Sequence, residues 1–216
     1  MVMREDRAMN DDRLAWIYSA TTPAELRERY EEWADEYDAD LGALSWEAPL
    51  AAARRCAALL PIGGVVLDAG CGTGLVGVGL RAEGVASVVG FDLSPAMIGR
   101  ARATGAYAEL HQGSLLEPLP FAPGRFNAVI SVGVFTCGHV GPEAFAGLAR
   151  AVAPGGHVTL TFRLDAIDEL GYAAEAERLE RVGTWTLVDR PDPMPLLVED
   201  GIPVDMLVLS WQVHEH

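Results

Sequence analysis

The spacing most capable of chemistry lies between Val65 and Gly74, where the chain reads VVLDAGCGTG: one carboxylate, Asp68, then Gly70, Gly72 and Gly74 at alternate positions. Alternate glycines let a backbone turn through conformations closed to other residues, and let a ligand approach the main chain with no Cβ in the way. A tight turn with no ligand needs only two of them. Gly72, Gly74 and Gly77 also make a literal G-x-G-x-x-G, and Asp92 stands eighteen positions after Gly74, where a dinucleotide's ribose-binding acid would fall. Asp68 argues against that rival. A dinucleotide loop offers amides and a helix N-terminus to a pyrophosphate, which a carboxylate two residues ahead of the first glycine repels. The same carboxylate suits a nucleoside that carries an ammonium group and no phosphate.

Two further groups can do chemistry. His139 lies in the stretch GVFTCGHVG (Gly133–Gly141). An imidazole titrates near neutral pH and can take a proton from a hydroxyl or amine; an ordinary loop histidine is the alternative. Arg163 follows a strand-like run and can hold an anionic substrate group, with a surface ion pair as the alternative. The three cysteines, Cys56, Cys71 and Cys137, match no zinc or C-x-x-C spacing, and Cys71 and Cys137 read as small packing residues. No metal site is expected.

These residues need elements to position them. Val65–Ala69 reads as a buried strand and Leu75–Ala82 as the helix after it, so the glycine loop sits at a helix N-terminus. Ser87–Phe91 is a second strand that ends at Asp92, and Ser94 caps the helix opened by Pro95. Tyr107–Gln112, Phe126–Val132 and His157–Phe162 are the next three strands. A helix from Pro142 to Ala153 precedes the last of these and is ended by Pro154–Gly155–Gly156. Asp165–Arg181 is an amphipathic helix. Gly183–Arg190 and Asp205–His214 read as two strands joined by a loop holding Pro191, Pro193, Pro195 and Pro203. Upstream, Thr22–Pro23 caps a helix over Ala24–Ala39 whose Leu26, Tyr30, Trp33 and Tyr37 share one face. Residues 1–13 are expected to be a loosely held arm.

VVLDAGCGTG, FDLSPAMIGRAR and the P-G-G before a strand together resemble the class I S-adenosylmethionine-dependent methyltransferases. The segment YEEWADEYDADLGALSWEAP (Tyr30–Pro49) is similar, more narrowly, to the methyltransferase-like family named after the Williams–Beuren syndrome region. The resemblance runs from about Tyr30 to Phe162. It implies a Rossmann-like α/β fold, with a seven-stranded, mostly parallel sheet, an antiparallel last strand and helices on both faces. It divides the chain into an N-terminal arm and lid helices (1–60) and a cofactor-binding domain (61–216). It implies a cofactor site built from Asp68, Gly70, Gly72, Gly74, Asp92, Leu93, Met97, Ser114, Leu115 and Val132, with Tyr30 and Tyr37 folded over it. Ser114 departs from the family, which usually has an acid there; a hydroxyl can accept the adenine amino group without a charge. Substrate contacts are expected from Trp33, Trp46, Phe135 and Arg163, and proton transfer from His139. The implied activity is methyl transfer to oxygen or nitrogen of a small molecule. A non-methylating reaction such as a cyclisation and a protein methylase stay open beside it.

Composition sets bounds. At 216 residues the chain is long enough for one full core. With 16 basic residues (all Arg) against 31 acidic ones, the net charge is −15. Such a surface repels phosphate backbones, so nucleic acid is not expected as a partner. An odd cysteine count, a charged start and no long apolar run lead to the expectation of a cytoplasmic protein with no membrane span.

Overall fold

Val65–Ala69 (β1) forms because four aliphatic or small residues surround Asp68 and leave the strand no polar face; all but Val65 are buried. It is the central reference of the sheet. The computed structural model describes residues 16–17, 19–20, 22–37, 39–40, 45–135, 140–199 and 201–215. The expected arm at 1–13, together with Cys137 and His139, lies outside the described residues.

β1 pairs in parallel with Ser87–Asp92 (β2) and Phe126–Ser131 (β4). Glu109–Gln112 (β3) pairs with β2, and Val152–Arg163 (β5) with β4, both in parallel. Ile202–Val213 (β8) runs antiparallel to β5, to Trp185–Asp189 (β6) and to Met194–Glu199 (β7). The strand order is β3-β2-β1-β4-β5-β8-β6, with β7 attached to β8 alone. The sheet therefore has eight strands where seven were expected. The additional one is the stretch that reads as a proline-rich loop. Pro195 pairs with Asp205, and Val198 with Pro203. Prolines are tolerated there because β7 is an edge strand and the start of β8 projects beyond β5.

Six helices of eight residues or more are described: Pro23–Trp33 (α1), Ala48–Leu59 (α2), Leu75–Ala82 (α3), Pro95–Ala103 (α4), Ala144–Ala151 (α5) and Tyr172–Arg181 (α6). α1 is shorter than its periodicity suggests; a turn over Ala34–Glu36 separates it from Tyr37. Thr22 caps it, its Oγ1 accepting the Glu25 amide at 3.2 Å. α5 ends early because Val152 already pairs with Phe126, so Pro154–Gly155–Gly156 becomes an irregularity inside β5 rather than a helix stop.

Two apolar clusters pack the sheet. One holds most of the rings, among them Phe126, Phe145, Phe162, Tyr172, Trp185 and Trp211. The other is mainly aliphatic and joins α2 and α3 to Ile17, Leu26 and Trp33 of the N-terminal segment and to Leu196 and Leu197 of β7. The sheet order reverses at β1, between β2 and β4. In open α/β sheets that is where ligands bind, outside the strands' carboxyl ends.

Candidate active site

At that edge a cleft of about 800 Å³, measured out to open solvent, lies over the ends of β1, β2 and β4. Gly70 and Gly72 form its floor. The loop is pinned from beneath: the amides of Gly70 and Cys71 both donate to the Phe91 carbonyl, at 2.7 and 3.1 Å. A Cβ on Gly70 would stand 2.3 Å from Val134 Cγ2, so only glycine fits under that side chain. A Cβ on Gly72 would meet no atom within 4 Å, which marks its open side as room for a ligand.

Asp92 lines the cleft from the end of β2. Its Oδ2 accepts the Gly72 amide at 2.8 Å and its Oδ1 the Ser94 amide at 2.9 Å. Each carboxylate oxygen keeps a lone pair for a further donor. Burial pushes this carboxyl above the usual range, against the pull of the Ser94, Gly72 and Leu93 amides. Ser94, not Asp92, caps α4, its Oγ accepting the Met97 amide at 3.3 Å.

Leu93, Met97, Ser114 and Leu115 all line the cleft, as do Val132, Tyr30 and Tyr37. The Ser114 hydroxyl also accepts the Leu116 amide at 3.1 Å. The cleft has walls that the sequence reading left out: Leu26, Gly113, Leu116, Gly133, Val134 and Val140. Leu26 had a signal, since it sits one helical turn before Tyr30 on the same stripe. Val134 and Val140 had none beyond their place in the loop after β4.

Several expected site residues stand elsewhere. Asp68 is fully buried and lies behind the loop rather than in the cleft. Its Oδ2 accepts the Tyr107 hydroxyl at 2.6 Å, and its Oδ1 has no partner. Burial pushes this carboxyl up to about 7; the Tyr107 bond opposes the rise and the nearby Asp92 adds to it. Gly74 does not line the cleft either; it is the left-handed residue that starts α3. Phe135, expected to meet substrate, is fully buried among Phe145, Phe162 and Tyr172. Trp33 is 2% exposed; its indole donates to Asp40 at 2.7 Å and its ring meets Tyr37 edge-on at 4.6 Å. It buttresses Tyr30 and Tyr37 from behind and does not face the cleft. Trp46 backs Gly133, packed into the aliphatic cluster. Arg163 is neutralised by Asp165 and Glu199, which raise its pKa further and leave no free charge for a substrate anion. Burial pushes the thiols of Cys56 (to about 12) and Cys71 upward, which makes both inert.

The residues present fit S-adenosylmethionine. Open space over Gly72 admits its backbone-hugging chain, Asp92 offers acceptors for ribose hydroxyls, and Leu93, Met97 and Leu115 offer an apolar slot for a base. The comparisons agree. A methyltransferase domain family matches residues 66–156. Human methyltransferase-like protein 27 is 40% identical over 164 residues, spanning 72% of this chain and 66% of its own length. The 18S rRNA (guanine-N(7))-methyltransferase of Bos taurus is 45% identical over 67 residues, 31% of this chain and 24% of that enzyme. The structure of a TehB-like SAM-dependent methyltransferase from Corynebacterium glutamicum superposes with a TM-score of 0.62 at 25% identity, covering 86% of this chain and 98% of that one.

The bovine relative overturns one expectation. Its name places its reaction on RNA, so nucleic acid is not excluded as a partner in this group. The net charge of −15 sums the whole surface and does not give the sign of the field at one mouth. No helix among the described residues is long and apolar enough to cross a membrane. The glycine loop under Val134, the acid at the end of β2, the strand order and the relatives converge: the chain belongs to the class I S-adenosylmethionine-dependent methyltransferases.

Proposed function

We propose that the protein methylates a hydroxyl or amine on a small, largely apolar acceptor, with residues 1–60 serving as arm and lid over a methyltransferase domain of residues 61–216. The observation that carries this reading is the asymmetry of the cleft. Asp92 is the one charged side chain among its described lining residues, and much of the rest of the lining is apolar or aromatic: Leu26, Tyr30, Tyr37, Val132, Val134 and Val140.

S-adenosylmethionine supplies a methyl group already activated by a positive sulfonium. The chain's part is to bind, align and keep water out, which accounts for much of the acceleration in such a transfer. Asp92 accepts the ribose hydroxyls through the lone pairs that Gly72 and Ser94 leave free. Leu93, Met97 and Leu115 would hold the base, and the Ser114 hydroxyl would be an uncharged acceptor for its amino group. Tyr30 and Tyr37, braced by Trp33, shield the reacting end from solvent. His139, assigned by its sequence position after β4, takes the proton that the acceptor loses.

The test is a screen of small hydroxyl and amine compounds, with RNA and protein fractions alongside, against methyl-labelled cofactor. Label is expected in apolar small molecules. Transfer confined to RNA or protein would sink the acceptor class. His139→Ala is expected to slow turnover and leave S-adenosylhomocysteine affinity unchanged; the reverse pattern removes it from the proposed role.

A further inference from the structure

Behind the loop that faces the cleft lies a second set of contacts, organised by Tyr107. This residue precedes β3, and its hydroxyl is used in both directions. It donates to Asp68 Oδ2 at 2.6 Å and accepts the Gly77 amide, in the first turn of α3, at 3.1 Å. Its ring occupies the space that side chains at three glycines would need. A Cβ on Gly77 would stand 2.3 Å from the ring's Cζ, one on Gly90 3.0 Å from Cδ1, and one on Gly74 3.1 Å from Cε2. The literal G-x-G-x-x-G thus has a shape explanation: Gly74 and Gly77 make room for one ring, while Gly72, with Gly70 before it, lines the cleft.

Asp68 is where this matters. It is fully buried with Oδ1 unpartnered, and the groups facing it are Tyr107, Asp92 across the loop, and the thiols of Cys71 and Cys56. A buried carboxyl with one oxygen unsatisfied holds a fixed orientation only if its other bond is firm. The Tyr107 hydroxyl is that bond, and it also ties the carboxyl to the start of α3.

We infer that Tyr107 is a positioning residue of the cofactor site, acting through Asp68 and the Gly77 amide to hold the glycine loop in the shape that presents Gly70 and Gly72 to the cofactor. The inference rests on the cleft being the S-adenosylmethionine site. Tyr107→Phe keeps the ring and removes only the hydroxyl. Calorimetry with S-adenosylhomocysteine is expected to show about tenfold weaker binding in the wild-type background, the scale of one hydrogen bond to a charged group. In an Asp68→Asn background the same change is expected to cost less than about threefold, since coupled residues are non-additive. The pH profile of affinity is expected to move to higher pH in Tyr107→Phe, because the hydroxyl no longer favours the ionised carboxyl. Equal losses in both backgrounds with an unmoved profile would reduce Tyr107 to packing and overturn the inference, as would no loss at all. If Asp68→Asn does not fold, the pH profile of Tyr107→Phe decides alone. If the wild type itself binds no S-adenosylhomocysteine, the cofactor reading fails instead.

Discussion

The two apolar clusters are both closed and buried, but they relate to the cleft differently. The ring-rich cluster is self-contained. Phe145, Phe162, Tyr172, Trp185 and Trp211 meet one another at centroid distances between 5.0 and 6.3 Å. It reaches the cleft only at its rim, through Leu115, Val134 and Val140. The aliphatic cluster puts its own buried members, Leu26 and Val132, into the cleft wall, together with the half-buried Tyr30 and Tyr37. One face of the sheet therefore carries stability, and the other couples stability to binding. Ligand contacts with the second cluster's members consolidate that cluster, so its packing and its affinity should move together.

The sharpest way to break this comparison is in the rings. Trp185 is fully buried, stacks on Trp211 at 5.0 Å, and donates its indole N–H to the Ala176 carbonyl. Trp185→Ala is expected to cost about 3–5 kcal/mol of unfolding free energy, the range for large aromatic truncations. The molecules that remain folded should bind S-adenosylhomocysteine with unchanged affinity. Denaturant melts and calorimetry on one preparation check both halves; a parallel loss of affinity would show that the clusters are not separable.

Next in size is the cleft's one described charge. Asp92→Ala removes the acceptor for ribose and strands the Gly72 and Ser94 amides. Binding of S-adenosylhomocysteine should weaken by about 2 kcal/mol, roughly thirtyfold. An affinity within threefold of wild type would place the ribose elsewhere. The lid comes third. Tyr37→Ala removes an edge contact with Trp33 and part of the cleft wall, and about 1 kcal/mol should be lost from stability. Affinity should fall several-fold with it. A stability loss with no change in affinity would move Tyr37 to the side of the rings.

These positions differ in how legible they were. That Gly70, Gly72 and Asp92 meet at one edge was readable because strand, turn and helix follow one another within a few residues; Leu93 and Met97 were added by the resemblance of FDLSPAMIGRAR to a family motif, and all five line the cleft. The orientation of Asp68 was not readable. It depends on Tyr107, thirty-nine positions away, and no local pattern announces that partner. Phe135 and Trp33 failed for a related reason: an aromatic near a ligand edge reads the same whether it faces inward or outward, and tertiary neighbours decide. For Arg163 the sequence left both an anion site and an ion pair open, and the pairing with Glu199 was not legible because it comes through β7, a strand hidden by its own prolines.

The smallest expected effect lies on the back of the glycine loop and separates the loop from both clusters. Asp68 has its folded pKa raised to about 7, so the folded state holds its proton more firmly than the unfolded chain does. Stability from this group is fully present below the unfolded value near 4 and is lost as pH rises through about 7. Asp92 is raised by burial and acts with the same sign. His157 is lowered by burial, so its contribution is lost in the opposite direction, as pH falls below its ordinary range. The acids held low by arginine, Glu109, Asp165 and Glu175, lose their contribution only under acid conditions. Between pH 6.5 and 8.5 the loop carboxyls therefore dominate. The ligand-free protein should lose less than about 1 kcal/mol across that interval by linkage. For a chain of this length, that is a fall of at most about 2–4 °C in Tm. Asp68→Asn should flatten the dependence without removing it, because Asp92 remains. A melting temperature that rises over the same interval would mean that Asp68 is already ionised in the folded protein, the Tyr107 hydrogen bond outweighing burial.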